Sequence, residues 1–491
     1  MAERLIRAID CLIEEGGQWQ LRPHDIAIAA GRITALAAPG SIAPSDNDNV
    51  IDGRGLIAVP GLVNAHFHSP DTLIRSSAPL LPLELWSLHS AAGRERRSPR
   101  EAYVSAMLGA IEMLASGTTT VLDHIRVSPD IDGPVLDAAA SAYRDIGMRV
   151  VMAPILADIP VAETLPLTPT DIGGDDIAGW GRRRPLPAGD QMAIADGFIA
   201  RWQGKSDRIH CALGPSAPQR CSDDLLDRIA ALARHRKLPV HMHLLETEAQ
   251  RAIGDRHPGG TLARLGEIGL MGPRTSFAHA IWLGDADLDR LADAGAGIVH
   301  NPVSNARLGS GFCPLHGMLA RGIRVGLGTD SCCCNDSANL LETTKWAALL
   351  GNLVTAGPER WTGPARALHL ATAGSADVIG LKLVTGRIAP GLAADLTLIR
   401  HDSPALVPLL DPARQIVLSG ASIVIDQVLV AGETVMQAGR ASRIDQTAIW
   451  AEARELAAAR LSDTEADYAM AARMAGPITR MRQRLAKERA E

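Results

Sequence analysis

Eight short apolar runs recur between residues 61 and 384, and most end at or beside a histidine or an aspartate. They are Leu62–His66, Thr118–Leu122, Arg149–Met152, His210–Leu213, Pro239–His243, Thr275–His279, Gly297–His300 and Val325–Thr329. Between them lie stretches with helical spacing, such as Ala102–Ala115, Leu225–Arg236 and Ala286–Ala294. Strands alternating with helices predict a parallel sheet, because parallel neighbours need a long crossover connection. Eight such units predict an α/β fold, a (β/α)8 barrel, whose functional groups gather at the C-terminal ends of the strands. The polar residues at those ends are His66, His68, Asp123, His124, His243, His279, His300 and Asp330.

The flanks read differently. Residues 1–60 hold short alternating strands, and Asp25 to Leu36 reads as a hairpin turning at Gly31. Residues 385–445 look similar, so 1–60 and 385–445 are expected to form one small β-sandwich domain from both chain ends. Residues 61–384 are then the barrel, broken at 158–198 by a run rich in Pro and Gly that also holds Trp180. Such an insertion is either a lid over the pocket or a surface excursion. Residues 446–491 are Ala-, Arg- and Glu-rich and read as a helical extension, with Gly476-Pro477 expected to split it into two helices. That extension either packs on its own chain or makes a dimer contact.

Composition narrows the function classes. A chain of 491 residues, 46% apolar, has ample material for a large core. Its net charge of −6 gives no support for nucleic-acid binding or a membrane surface. No apolar run reaches membrane-spanning length, and the charged start, Met1-Ala-Glu-Arg, does not read as a signal peptide. Seven cysteines, three of them consecutive at Cys332, Cys333 and Cys334, show no disulfide framework. A reduced, cytoplasmic enzyme with a small-molecule substrate is expected, assembled as a homodimer.

His66 and His68 sit two apart on one strand and so face the same side. That is half of a metal site, and alone a weak signal, since a strand-end histidine is commonly a satisfied structural group. His243, with Glu246 three residues on, His279 and Asp330 all close other strands. Together they would bring imidazoles and carboxylates to one face.

At this point the chain resembles the amidohydrolase superfamily, in its cytosine-deaminase and s-triazine-hydrolase branch. The matching stretches are Pro60-Gly-Leu-Val-Asn-Ala-His-Phe-His68, Gly117-Thr-Thr-Thr120, His243-Leu-Leu-Glu-Thr247, His300-Asn-Pro-Val-Ser-Asn-Ala-Arg-Leu308, Gly326-Leu-Gly-Thr-Asp-Ser331 and Gly391-Leu-Ala-Ala-Asp-Leu396. The likeness covers about residues 20–440. It implies that His66, His68, His243 and Asp330 hold one divalent metal, with zinc expected and iron(II) as the alternative. It implies that Glu246, His279 and Asp330 act on the water that the metal activates. Relatives with two metals carry a lysine on the fourth strand. Ile209-His-Cys-Ala-Leu-Gly-Pro215 has none, which favours one metal.

Substrate contacts depart from the pattern. Trp86 is a candidate for stacking on a base. Where adenosine-type deaminases read Gly-Pro-His-Ala-Pro-Tyr, this chain reads Gly214-Pro-Ser-Ala-Pro-Gln219, so Ser216 and Gln219 stand in the substrate-contact positions. The Asp330 loop is closer to hydroxyatrazine and 8-oxoguanine aminohydrolases. His124 and Asn305 are further substrate-contact candidates, and His241 and His300 are expected to support the site from one layer deeper. The resemblance implies hydrolytic deamination of a small nitrogen heterocycle: a triazine, a pyrimidine or a purine-like amine. The alternative is an amide, urea or carbamate hydrolase, or a dechlorinase, using the same mononuclear site. A scaffold that has lost its chemistry is disfavoured, because all of these residues are retained.

Overall fold

Arg149-Val-Val-Met152 shows how local sequence makes one strand. The preceding helix Gly133–Ile146 begins where the Asp132 carboxylate caps the Val135 N–H, and it stops at Gly147, whose φ of 86° suits glycine. The β-branched pair Val150 and Val151 then runs extended and fully buried. A computed structural model describes residues 3–44, 49–92, 97–175, 183–355, 357–462 and 465–491. Trp180 lies outside the described residues.

All eight predicted runs contribute strands, in two parallel sheets. One has the order Ile209–Cys211, Arg149–Met152, Thr118–Asp123, Leu62–His68, Asp330–Ser331. The other has the order Val240–Leu244, Thr275–His279, Gly297–His300, Arg324–Leu327. Leu213 bridges Val240 in parallel, linking one margin of each sheet. At the other margin the stretch 324–331 pairs first with Gly297–His300 and then with Leu62–His68. Gly328 lies at the bend, where an added Cβ would come within 2.7 Å of the His66 Cβ. Only a residue without a side chain lets the strand pass there.

Both chain ends build a single nine-stranded sheet. Leu396–Arg400 pairs antiparallel with Leu56–Pro60, which pairs with Arg4–Glu15. The expected hairpin joins Gln18–Ala29 to Arg32–Ala37 through Ala30 and Gly31, both at positive φ, as a two-residue turn requires. Ile6, Ile9, Ile26, Ile28, Leu396 and Leu398 form a buried cluster of this sheet. Arg149 joins the two regions. Its guanidinium lies 1% exposed and holds Asp395 through Nε at 2.8 Å and Nη2 at 3.1 Å.

Two expectations are corrected. Residues 188–198 are not irregular, because a helix runs over Ala188–Trp202. Pro187 precedes it, and Ala188, Gln191, Met192, Ala195 and Phe198 are buried at helical spacing. Gly476-Pro477 does not split the C-terminal region either. One helix runs over Glu465–Ala490 with Pro477 inside it, after the helix Gln446–Ser462. Packing overrides the proline's missing hydrogen bond: Met474, Ile478, Met481 and Leu485 form a buried cluster with Ala249, against Leu85, Leu88 and Leu165. The extension therefore packs on its own chain. Among the described residues no helix is long and apolar enough to cross a membrane.

Candidate active site

The strand ends converge. His66 and His68 close Leu62–His68, His243 lies near the end of Val240–Leu244, His279 closes Thr275–His279, and Asp330 opens Asp330–Ser331. His279 and Asp330 both adopt left-handed backbone, with φ of 71° and 62°. A non-glycine residue holds that conformation only where its surroundings impose it, which is common at functional sites. Leu245, at φ 44°, turns the chain between His243 and Glu246.

The geometry suits a cation. His68 Nδ1 meets the His124 carbonyl at 2.5 Å, and His243 Nδ1 meets the Ser216 carbonyl at 2.5 Å. A carbonyl only accepts, so both Nδ1 atoms carry the proton and both Nε2 atoms present lone pairs. Those Nε2 atoms face each other at 3.2 Å. Two lone pairs at that distance repel unless a positive centre sits between them. Asp330 Oδ1 lies 3.4 Å from His68 Nε2 and 3.5 Å from His66 Nε2. Two tetrahedral ligands each ~2.0 Å from zinc stand about 3.3 Å apart. His66 Nε2 is buried and has no hydrogen-bond partner. These residues fit a divalent metal.

Further groups hold the cluster in place. His66 Nδ1 lies 2.8 Å from His241 Nε2, and His241 Nδ1 lies 2.8 Å from Ser276 Oγ. Ser304 Oγ donates to Asp330 Oδ2 at 2.6 Å, and the Ser331 N–H donates to Asp330 Oδ1 at 2.7 Å. Burial works to raise the Asp330 pKa, but the imidazoles of His66, His279 and His68 close around it hold it well below the usual carboxylate range. Asp330 is thus held as the carboxylate.

Glu246 behaves in the opposite way. Burial pushes its pKa up to about 7; His279 opposes the rise and the Asp330 charge adds to it. Its Oε2 is 3.7 Å from His279 Nε2, and its buried Oε1 has no hydrogen bond among the described residues. It is a carboxyl group that can both hold and release a proton near neutrality. His279 Nδ1 lies 2.9 Å from Asn305 Oδ1, and its Nε2 lies 3.7 Å from Asp330 Oδ2.

A cavity of about 480 Å³ opens onto His68, His243, Glu246, His279 and Asp330. Trp86, Ser216 and Gln219 stand on its wall, with Pro160, Val161, Leu165 and Pro185 from the insertion. Trp86 is buried and donates its Nε1–H to the Cys333 carbonyl at 2.9 Å, which holds its ring in place. His124 and Asn305 do not stand on this cavity wall. His124 packs behind His68 and His243, with Nε2 3.2 Å from the Gly214 carbonyl, and desolvation holds its pKa well below the usual value. Asn305 turns its Oδ1 to His279 Nδ1. His300 is buried in the support layer, its pKa lowered to about 3 by burial. Cys332 is no ligand candidate: burial raises its pKa to about 12, and its Sγ sits against Thr72 Oγ1 and Arg75 Nη2.

Sequence reasoning passed over Ser304, Glu84 and Arg220. Ser304 lies within the quoted His300–Leu308 stretch, and its hydroxyl was the available signal. Glu84 and Arg220 line the cavity, Glu84 with one oxygen on Arg482 and the other buried without a partner. Nothing in their neighbourhoods distinguished them from surface charges.

A buried cluster of neutral imidazoles and one carboxylate suited to a metal, facing a carboxyl that titrates near neutrality, defines a metal-dependent hydrolase. The amidohydrolase family profile matches residues 57–435, and the chain belongs to that family. It is 31% identical over 461 residues to 5'-deoxyadenosine deaminase of Methanosarcina mazei, covering 93% of this chain and 98% of the relative. It is 33% identical over 440 residues to 5-methylthioadenosine/S-adenosylhomocysteine deaminase of Desulforudis audaxviator, covering 88% and 94%. Among solved structures, a zinc-bound adenosine deaminase from Xanthomonas campestris superposes with a TM-score of 0.82 at 26% identity, covering 94% of this chain and 99% of that one. The zinc complex of atrazine chlorohydrolase from Arthrobacter aurescens has the same TM-score and identity, covering 92% and 100%.

Proposed function

We propose that this chain hydrolytically deaminates a small nitrogen heterocycle, using one divalent ion held by His66, His68, His243 and Asp330. The observation that carries the reading is Glu246, a buried carboxyl poised near neutrality on the cavity wall, 3.7 Å from His279. Adenosine-type deaminases among the relatives support the leaving group, and zinc in the solved neighbours supports the metal.

Bound there, zinc supplies a Lewis acid that lowers the pKa of water. The side chains do the rest. Trp86 and the insertion wall seat the ring. Glu246 delivers its proton to a ring nitrogen, which makes the adjacent carbon electrophilic. Asp330 and His279 accept protons from the attacking water, and Asn305 keeps the His279 ring aimed. A carbon–oxygen bond forms and the carbon–nitrogen bond breaks; one of the two water protons leaves with the amino group as ammonia, and the other returns to Glu246. Water plus amine thus gives the oxo product and ammonia.

The strand pairings at both sheet margins support a closed (β/α)8 barrel spanning 61–384. The shared nine-stranded sheet, with its own core, supports a composite β-sandwich from 1–60 and 385–445. All seven cysteines are unpaired, which supports a reducing, cytoplasmic setting. A second reading, hydrolysis of a halide, amide or urea, is favoured by the likeness to atrazine chlorohydrolase and by Ser216 and Gln219. Metal content per chain and ammonia release over a panel of heterocyclic amines test the proposal. Consumption of substrate with no ammonia would hand the site to the second reading.

A further inference from the structure

Arg220 ends the short turn Pro218–Arg220 on the cavity wall, directly after Gln219. Among the described residues its guanidinium has no hydrogen bond and no ion pair, and its Nη1 is buried from water. The nearby acceptors each hold another donor. Asp158, the carboxylate whose charge reaches it, accepts the Ser222 N–H on Oδ1 at 2.7 Å and the Ser222 hydroxyl on Oδ2 at 2.5 Å. The carbonyls of Pro218 and Cys221 accept from Arg264 at 2.8 and 2.9 Å. The Arg220 carbonyl itself accepts the Ile159 N–H.

A half-enclosed guanidinium with no acceptor is costly to keep. Burial lowers the pKa of Arg220, as expected for a cation short of compensation. Its neighbours on the wall differ in kind. Glu84 is matched by Arg482, and Arg183 by Asp130. The planar fork of arginine fits a carboxylate through two parallel hydrogen bonds.

We propose that Arg220 recognises the substrate's anionic group, and that the substrate is an aminoheterocycle carrying a carboxylate. One guanidinium without a hydrogen bond or ion pair among the described residues matches a monoanion, whereas a phosphate dianion would leave one charge unmatched. The inference deepens the deaminase reading and rests on it for the ring and the amine.

The test uses matched pairs on metal-loaded protein: cytosine with 5-carboxycytosine, and 5'-deoxyadenosine with adenosine 5'-carboxylate, with adenosine 5'-phosphate as a third arm. Ammonia release yields kcat/KM, and calorimetry yields binding without turnover. The wild type is expected to favour the carboxylated member of at least one pair. In Arg220→Met that preference falls about 10- to 100-fold, as loss of a hydrogen-bonded charge pair predicts, and Arg220→Lys restores part of it. A preference unchanged in Arg220→Met, a wild type that favours the neutral members, or tightest binding of the phosphate would each overturn the proposal. If Arg220→Met does not fold, Arg220→Lys and the wild-type preference decide. Absence of ammonia from every amine would overturn the deaminase reading, while the calorimetric preference still decides Arg220.

Discussion

Two buried charge clusters sit at opposite ends of the same parallel strands, and they are built in opposite ways. At the start of Arg149–Met152, Arg149 and Asp395 satisfy one another completely. Arg149 makes two bonds to Asp395 and a third to the Asp207 carbonyl, and Asp395 also accepts the Ala431 N–H at 2.7 Å. At the strands' far ends, His66 Nε2 and Glu246 Oε1 are buried without partners, and two imidazole lone pairs face each other. A folded protein keeps paired charges for cohesion, and it keeps unpaired ones where a ligand completes them. The difference separates structure from chemistry without any appeal to relatives.

The comparison can be broken by substitution. Glu246→Gln should lower kcat by about 10³-fold while leaving the metal content unchanged, because it removes a proton carrier and no ligand. Retained turnover would move the chemistry elsewhere. Asp395→Asn should do the reverse: a loss of about 3–5 kcal/mol in denaturant unfolding, since it strands a buried guanidinium, with kcat of the folded enzyme kept. A stability loss below about 1 kcal/mol would show that the pair is not the tie between the two sheets. Asn305→Ala should cost roughly 10- to 100-fold in kcat, by freeing His279, with little change in KM.

The smallest expected effect sharpens the contrast through pH. Asp395 is held below the usual carboxylate range: burial acts to raise its pKa, but Arg149 outweighs it. Its contribution is therefore present above about pH 3.9 and is lost as pH falls through the folded pKa. Glu246, raised to about 7, is neutral to stability below about pH 4.3. Between about 4.3 and about 7 the unfolded chain ionises while the folded one keeps the proton, so stability falls as pH rises. In protein stripped of metal, Glu246→Gln should gain on wild type by roughly 1–3 kcal/mol between about pH 4.5 and about pH 8. Equal pH profiles in the two proteins would mean that Glu246 titrates like an exposed carboxyl.

Much of this was legible beforehand. The eight runs were readable because a buried parallel strand needs a continuous apolar stretch, and their polar ends marked one face. The shared terminal sheet was readable from alternation at both chain ends. The C-terminal helix was misread at Gly476-Pro477 because Met474, Ile478 and Met481 are held by Leu85, Leu88 and Ala249, which are remote in sequence. The sequence also marks His124 and Asn305 as substrate-contact candidates, and the fold sets both off the cavity wall, His124 against His68 and His243 and Asn305 against His279. A residue near the site in sequence can point behind it, and only the packing of neighbouring strands decides which.

By itself the amino-acid sequence determined which chemical groups the chain brings to its strand ends, because strand periodicity and motif order are local properties. Tertiary structure alone decided their states. It holds the Asp330 carboxyl ionised and the Glu246 carboxyl near neutrality, it sets Asn305 Oδ1 against His279 Nδ1, and it leaves the Arg220 guanidinium without a hydrogen bond among the described residues. Burial and pairing depend on atoms that are distant along the chain, and those set the energy of a charge.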